Sequence, residues 1–192
     1  MMTDFSAEVV LVRHGETEWS RDGKHTGRTD VPLTAKGREQ ADAVGRALQG
    51  RRFACVLTSP LSRARETCRL AGFGGDAVVL EDLVEWDYGA YEGRTTVDIR
   101  RERPGWTLWA EGVPGGETAD QVAARADRVL AQIASADGDV LVFAHGHVLR
   151  VLTARWLGLE PTAGALFALD PATLSVLGHE HETRVLRSWN AT

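Results

Sequence analysis

Arg13, His14, Arg63, Glu85 and His145 are the side chains of this 192-residue sequence whose types and places allow chemistry together. Each stands where a patterned segment gives out. Arg13-His14-Gly15 follows the apolar run Val9 to Val12, and His145-Gly146-His147 follows the apolar run Val140 to Ala144. Arg63 begins a helix straight after a strand, where free backbone N–H groups favour anions. Glu85 lies in a loop with Trp86, Tyr88 and Tyr91. Two imidazoles, two fixed cations and a carboxyl group make the inventory that phosphoryl transfer needs. Guanidinium forks match the non-bridging oxygens of a phosphoryl group through paired, charge-assisted hydrogen bonds, and Arg13 and Arg63 are the expected forks. A neutral imidazole can attack phosphorus and hold the group covalently. The leaving alkoxide departs only with a proton, so an acid must be positioned, and Glu85 is the leading candidate. Glu81 is its rival, but Glu81 directly follows a strand rather than sitting inside the aromatic loop.

The elements that position these groups read as strands alternating with helices. Val9 to Val12 is too short and too β-branched for a helix and reads as a strand covered on both faces, with ligands beyond its carboxyl end. Gly15 is expected to let the backbone pass close to a bound group. After a polar loop from Glu16 to Asp30, Thr34 caps a helix carrying Ala41, Val44, Gly45 and Leu48, stopped by Gly50. Phe53 to Thr58 is a second strand, Ser59-Pro60 opens a helix with Leu61, Ala64 and Cys68 on one face, and Val78 to Leu80 is a short third strand. Glu81 to Gly93 is an aromatic-walled loop, Thr96 to Arg103 a short helix halted by Pro104-Gly105, and Val113 to Gly116 a turn. Thr118 and Gln121 have capping-box spacing before a helix that buries Val122, Ala126, Val129, Leu130 and Ile133. A strand from Val140 to Ala144, a helix from Val148 to Leu157 and a terminal hairpin of Leu174 to His181 with Val185 to Trp189 complete the chain. The pattern predicts one α/β domain over residues 1–192, a three-layer α/β/α sandwich with a mostly parallel central sheet.

Composition narrows the partners. The formal charge is −5, with 22 basic and 27 acidic residues interspersed, so neither nucleic acid nor membrane is expected, while a small phosphorylated substrate fits a local arginine cluster. A homo-oligomer is left open. Cys55 and Cys68 are expected as buried, reduced thiols. Met1 to Ala7 has no leader pattern and no run reaches membrane-spanning length, which implies the cytoplasm. His145 and His147, with His14, have a spacing that could meet one metal ion, but no Asp, Glu or Cys cluster accompanies them, and no metal is expected. Arg65, Arg69, Arg100 and Arg101 read as solvated. His25, His179 and His181 read as surface or hairpin residues, although His25 shares a loop with Thr26 and Gly27 that could line a pocket. Trp106, Trp109 and Trp156 suit a core or a subunit interface. Trp86 and Tyr88 are expected as walls gripping the organic half of a substrate.

These residues resemble the histidine phosphatase superfamily, also called the phosphoglycerate mutase-like family. The resemblance is carried by Arg13-His14-Gly15-Glu16-Thr17, Thr58-Ser59-Pro60-Leu61-Ser62-Arg63-Ala64, the Leu83-Val84-Glu85 loop with Gly89 and Glu92-Gly93, Gly115-Gly116-Glu117-Thr118, and Ala144-His145-Gly146-His147, in that order. It covers nearly the whole chain. It implies a phosphoglycerate mutase-like fold, His14 as the phosphorylated nucleophile, Arg13, Arg63 and His145 as the phosphate pocket, and Glu85 as proton donor and then as base for water. Thr26, Gly27, Ser59, Tyr88, Gly146 and His147 complete the implied substrate contacts, with no cofactor. Glu18-Trp19-Ser20, His25-Thr26-Gly27, Glu85-Trp86-Asp87-Tyr88-Gly89 and His145-Gly146-His147 are more similar to small acid phosphatases and sugar-bisphosphate phosphatases than to the mutases. Ser20 replaces the asparagine that mutases use to reach the phosphate, and the stretch from Glu85 to His145 is short for the mutase insertion. The implied activity is metal-independent hydrolysis of a small phosphomonoester, a sugar phosphate or bisphosphate among the candidates, through phosphohistidine. The alternatives are a phosphoglycerate mutase and a silent phosphate-binding module, the latter disfavoured by the retention of His14 and Glu85.

Overall fold

The computed structural model describes residues 7–192. Most of the segment read as lacking a leader, Met1 to Ser6, lies outside the described residues. Six strands, β1 (Val9–Arg13), β2 (Cys55–Thr58), β3 (Val78–Val79), β4 (Val140–Ala144), β5 (Leu174–Glu180) and β6 (Thr183–Ala191), form one sheet in the order β3-β2-β4-β1-β5-β6. The first four are mutually parallel, and the expected hairpin adds β5 antiparallel to β1 and β6 antiparallel to β5 at the sheet edge. Register decides where the chemistry gathers. Arg13 pairs with Ala144, and Thr58 pairs with Phe143, so three strands end level and deliver His14, Ser59 and His145 side by side.

The apolar runs are continuous because both sheet faces are covered. Val10, Val12, Leu141 and Phe143 pack against Val44 of helix α2 (Ala35–Ala47) and Cys68 of α3 (Ser62–Leu70). Val9, Leu11, Val140 and Val142 pack on the other face against α6 (Ala119–Ala134) and α7 (Gly146–Trp156). The α6 start shows the expected capping box, Thr118 with Gln121.

Several boundaries differ from the sequence reading. The loop from Glu16 to Asp30 contains a four-residue helix, α1 (Glu18–Arg21), closed by a capping box between Thr17 and Ser20 and too short to show periodicity. Helix α3 starts at Ser62, past Ser59-Pro60, where the Asp30 carboxylate accepts from the Ser62 N–H and hydroxyl. Two further helices follow the aromatic loop, α4 (Thr96–Glu102) and the unforeseen α5 (Leu108–Glu111). Helix α7 begins at Gly146, so His145 is its N-cap residue and Gly146 and His147 its first turn. Cys68 is buried, whereas Cys55 is only half-buried. Among the described residues no helix is long and apolar enough to cross a membrane.

Gly15 is required by packing. A Cβ there would lie 2.3 Å from the Gly37 carbonyl oxygen, and one on Gly37 would lie 2.1 Å from the Glu16 oxygen, so the loop after β1 crosses α2 in backbone contact. Gly37→Ala is therefore expected to lower the unfolding free energy by about 1–3 kcal/mol through overpacking, read from urea denaturation, and an unchanged midpoint would show that the crossing can open without cost.

Candidate active site

A cavity of about 190 Å³ opens where β1 and β4 end, and Arg13, His14, Glu85, Gly146 and His147 line it. A larger groove of about 320 Å³, lined by Ser62, Arg65, Cys68 and Val79 beside α3 and β3, contains none of the five side chains singled out above.

His14 is buried, 4% exposed. Its Nδ1 lies 2.7 Å from the Gly15 carbonyl oxygen, which can only accept, so the proton sits on Nδ1 and the Nε2 lone pair is free. Burial, then the charges of Arg63 and Arg13, hold the imidazole well below the usual histidine range. Neutral His14 is thus the standing state. Arg13 donates through Nη1 to the Leu169 carbonyl, while its Nε is buried and finds no acceptor among the described residues. A buried guanidinium N–H without a partner marks a place for an anion. Gly146 lies beside it, a Cβ there coming into ordinary contact at 3.5 Å from that Nε.

Glu85 is fixed from three sides. Its Oε1 accepts from the N–H groups of Trp86 (2.8 Å) and Val148 (2.9 Å), and its Oε2 from that of His147 (2.9 Å). The carboxyl group thus caps the N-terminus of α7, accepting two of its free N–H groups. The rival Glu81 is exposed and lies outside the cavity wall.

Behind the cavity, Arg63 is completely buried. Its Nη1 donates to Thr29 O (2.9 Å), its Nη2 to Thr26 O (3.1 Å) and Gly27 O (2.8 Å), and its Nε to His145 Nδ1 (3.1 Å). Because Nδ1 of His145 accepts, its Nε2 carries the proton and donates to Ser59 Oγ at 2.7 Å. Burial and Arg63 keep His145 neutral as well. Of the contacts implied by resemblance, Arg13, Thr26, Tyr88, Gly146 and His147 line the cavity, while Gly27, Ser59, Arg63 and His145 stand behind it. Gly27 is packed, since a Cβ would lie 2.5 Å from Trp86 O.

The aromatic loop divides. Trp86 is fully buried, with its Nε1 donating to Glu117 O at 2.9 Å, so it belongs to the core and not to a substrate wall. Tyr88 does reach the wall. Burial, then the Glu85 charge, pushes its phenol well above the usual range, so it stays protonated and donates to His147 Nδ1 at 2.6 Å. That leaves the proton of His147 on Nε2. His25, read as a surface residue whose loop with Thr26 could line a pocket, takes the second place: it lines the cavity against Tyr88, with ring centroids 4.8 Å apart, and burial lowers it to about 4. Lys24 and Arg150 also line the cavity and were missed. The one signal for Arg150 was its place four residues after Gly146, on the same helical face. Trp106 and Trp156 are core residues. Among the described residues no group of three or more His, Cys, Asp or Glu side chains is placed to hold a metal ion.

His14, His145 and His147 all titrate below the ordinary value in the folded chain. The unfolded chain therefore binds more protons once pH falls below about 6.5, and stability falls with it. The melting temperature is expected to decline as pH drops through that value toward the lowered folded pKa values. A flat profile would contradict neutral buried imidazoles.

A cavity at the carboxyl end of a parallel sheet that offers an unprotonated imidazole beside an unpartnered guanidinium suits an enzyme acting on phosphate esters. The sequence pattern that defines the histidine phosphatase superfamily (branch 1) matches residues 9–192. An acid phosphatase of Mycobacterium tuberculosis is 42% identical over 182 residues, covering 93% of this chain and 89% of that protein. A sedoheptulose 1,7-bisphosphatase of Saccharomyces cerevisiae is 37% identical, covering 82% of this chain and 70% of that protein. The solved structure of a functionally characterised Mycobacterium tuberculosis open reading frame superposes with a TM-score of 0.92 at 40% identity, covering 97% of this chain and 98% of that one. The chain belongs to the histidine phosphatase superfamily, and it is a phosphoric monoester hydrolase.

Proposed function

We propose that this phosphatase hydrolyses a small sugar phosphate through a phosphohistidine on His14, without a metal. The observation that carries the reading is the tautomer of His14, whose Nδ1–H is tied to Gly15 O and whose Nε2 is left as a neutral nucleophile. In the first step Nε2 bonds to phosphorus, the ester P–O bond breaks, and the Glu85 carboxyl group gives its proton to the departing oxygen. In the second, the Glu85 carboxylate takes a proton from water, the water oxygen bonds to phosphorus, and the P–N bond breaks. Inorganic phosphate leaves, and His14 and the protonated acid are restored. Arg13 Nε meets the phosphoryl oxygens, with Thr26, Tyr88, Gly146 and His147 around them, while Arg63, His145 and Ser59 support the charge from behind and Gly27 anchors Arg63.

The volume of about 190 Å³ suits a small metabolite. The yeast relative named a sedoheptulose bisphosphatase supports the sugar class. Ser20 argues against mutase chemistry, because its hydroxyl is used in the α1 cap, donating to Thr17 O and accepting from the Thr17 N–H. Two free thiols, Cys55 and Cys68, suit the cytoplasm.

The test is phosphate release from an aryl phosphate across acidic to neutral pH, with a chelator present, followed by alkaline quench to trap phosphoprotein. Turnover indifferent to chelator with acid-labile phosphate on the protein is expected. Turnover lost to chelator, or no trapped phosphate, overturns the reading.

A further inference from the structure

We infer that the ion pair of buried Arg125 with half-buried Glu117 is the positioning device for Glu85, and that it governs proton delivery to the leaving group without touching substrate. The inference rests on Glu85 being the acid. Neither Arg125 nor Glu117 lines the cavity.

Arg125 projects from α6 and is 5% exposed. Its Nε and Nη2 bond the two Glu117 oxygens side-on, at 2.9 and 3.0 Å. Its Nη1 spans to Asp82 O at 2.9 Å and to Val84 O at 2.6 Å, the latter being the carbonyl of the peptide bond that leads into Glu85. Glu117 holds the other side. Its Oε2 accepts from the Asp87 N–H at 2.9 Å, its backbone N–H donates to Asp87 O at 3.0 Å, and its carbonyl accepts Trp86 Nε1. The residue before Glu85 and the two after it are therefore tied to one bidentate pair. Among the described residues Glu85 itself has only the N–H groups of Trp86, His147 and Val148 to fix its carboxylate, so its position over α7 depends on where the loop is held.

Stability alone does not account for such a pair. Desolvating two charges costs about as much as their attraction returns, and apolar residues of similar volume fill such sites with equal or greater stability. What an apolar pair lacks is direction. The planar fork fixes the carbonyl of Val84 and the carboxylate of Glu117 at once, and proton transfer is sensitive to displacements of about 1 Å at the acid.

The experiment compares kcat/KM, which reports the phosphorylation step, for an alkyl phosphate and for an aryl phosphate with an acidic leaving group. Arg125→Lys and Glu117→Gln are each expected to lower the alkyl-to-aryl ratio by about tenfold or more, the direction expected of Glu85→Gln. The apolar double variant Arg125→Met with Glu117→Met guards against simple misfolding. It is expected to recover the melting temperature but not the ratio. If both substrates slow equally in the single variants, or the double variant recovers the ratio with the stability, the pair is merely structural and the inference falls. Hydrogen exchange separates this from failure of the acid assignment. The amides of His147 and Val148, which donate to Glu85, are expected to lose protection in the single variants while those of β4 keep theirs, whatever Glu85 does in catalysis. Unchanged protection overturns the positioning role.

Discussion

His14→Ala is expected to lower kcat by about 10⁴-fold or more, roughly 5.5 kcal/mol of barrier, with no phosphoprotein trapped on alkaline quench. The size follows from the absence of a substitute nucleophile. His145 stands 5.1 Å from His14 between ring centroids, yet its Nδ1 accepts from Arg63 and its Nε2–H donates to Ser59, so it has no free lone pair to offer. His147 is similarly committed through Nδ1 to Tyr88. The residual rate of the variant is expected from charge stabilisation by Arg13, with Arg63 behind it. Misfolding is separable from lost chemistry, because Arg13 Nε is untouched by the substitution and the variant should still bind inorganic phosphate by calorimetry. Phosphoprotein that persists in His14→Ala and vanishes in His145→Ala would move the nucleophile to His145.

How much of this was legible before the structure depends on how local each determinant is. The strand ends were legible because a parallel strand buried on both faces is apolar without interruption, so Arg13 and His145 stand out where Val9 to Val12 and Val140 to Ala144 stop. The capping box of Thr118 and Gln121 was legible for the same reason, its two bonds closing within one turn. What the sequence hides is who saturates whom across long separations. Arg63 reads as a phosphate ligand, and the pattern does not show that its donors also hold the carbonyls of residues 26, 27 and 29. Trp86 reads as a wall until its indole N–H meets Glu117, 31 residues away, and nothing local in the pattern marks Arg125, which reaches Val84, 41 residues back. Gly15 reads as a position that needs no side chain, but the neighbour that demands it is Gly37, and nothing in the pattern names that neighbour. Arg150 and Lys24 lacked any signal beyond helical spacing or loop membership, because a cation on a cavity wall and a cation in solvent have the same local pattern.

Glu85→Gln is expected to lower kcat/KM for alkyl phosphates by about 10²–10⁴-fold, and far less for aryl phosphates whose leaving group departs without a proton. The substitution is nearly isosteric, and the glutamine carbonyl can still accept from the N–H groups of Trp86 and Val148. Its amide would face the His147 N–H that now donates to Oε2, so a loss of about 0.5–2 kcal/mol of helix capping accompanies the kinetic effect. That cost is common to all substrates and cannot produce a difference between leaving groups. The second half-reaction supplies an independent sign. Without a carboxylate to take the proton from water, phosphohistidine should accumulate, and aryl phosphate should give a burst of one equivalent of phenol followed by slow turnover. Equal losses for both esters with no burst would remove Glu85 from both proton transfers, and the carboxylate would then be only the N-terminal cap of α7.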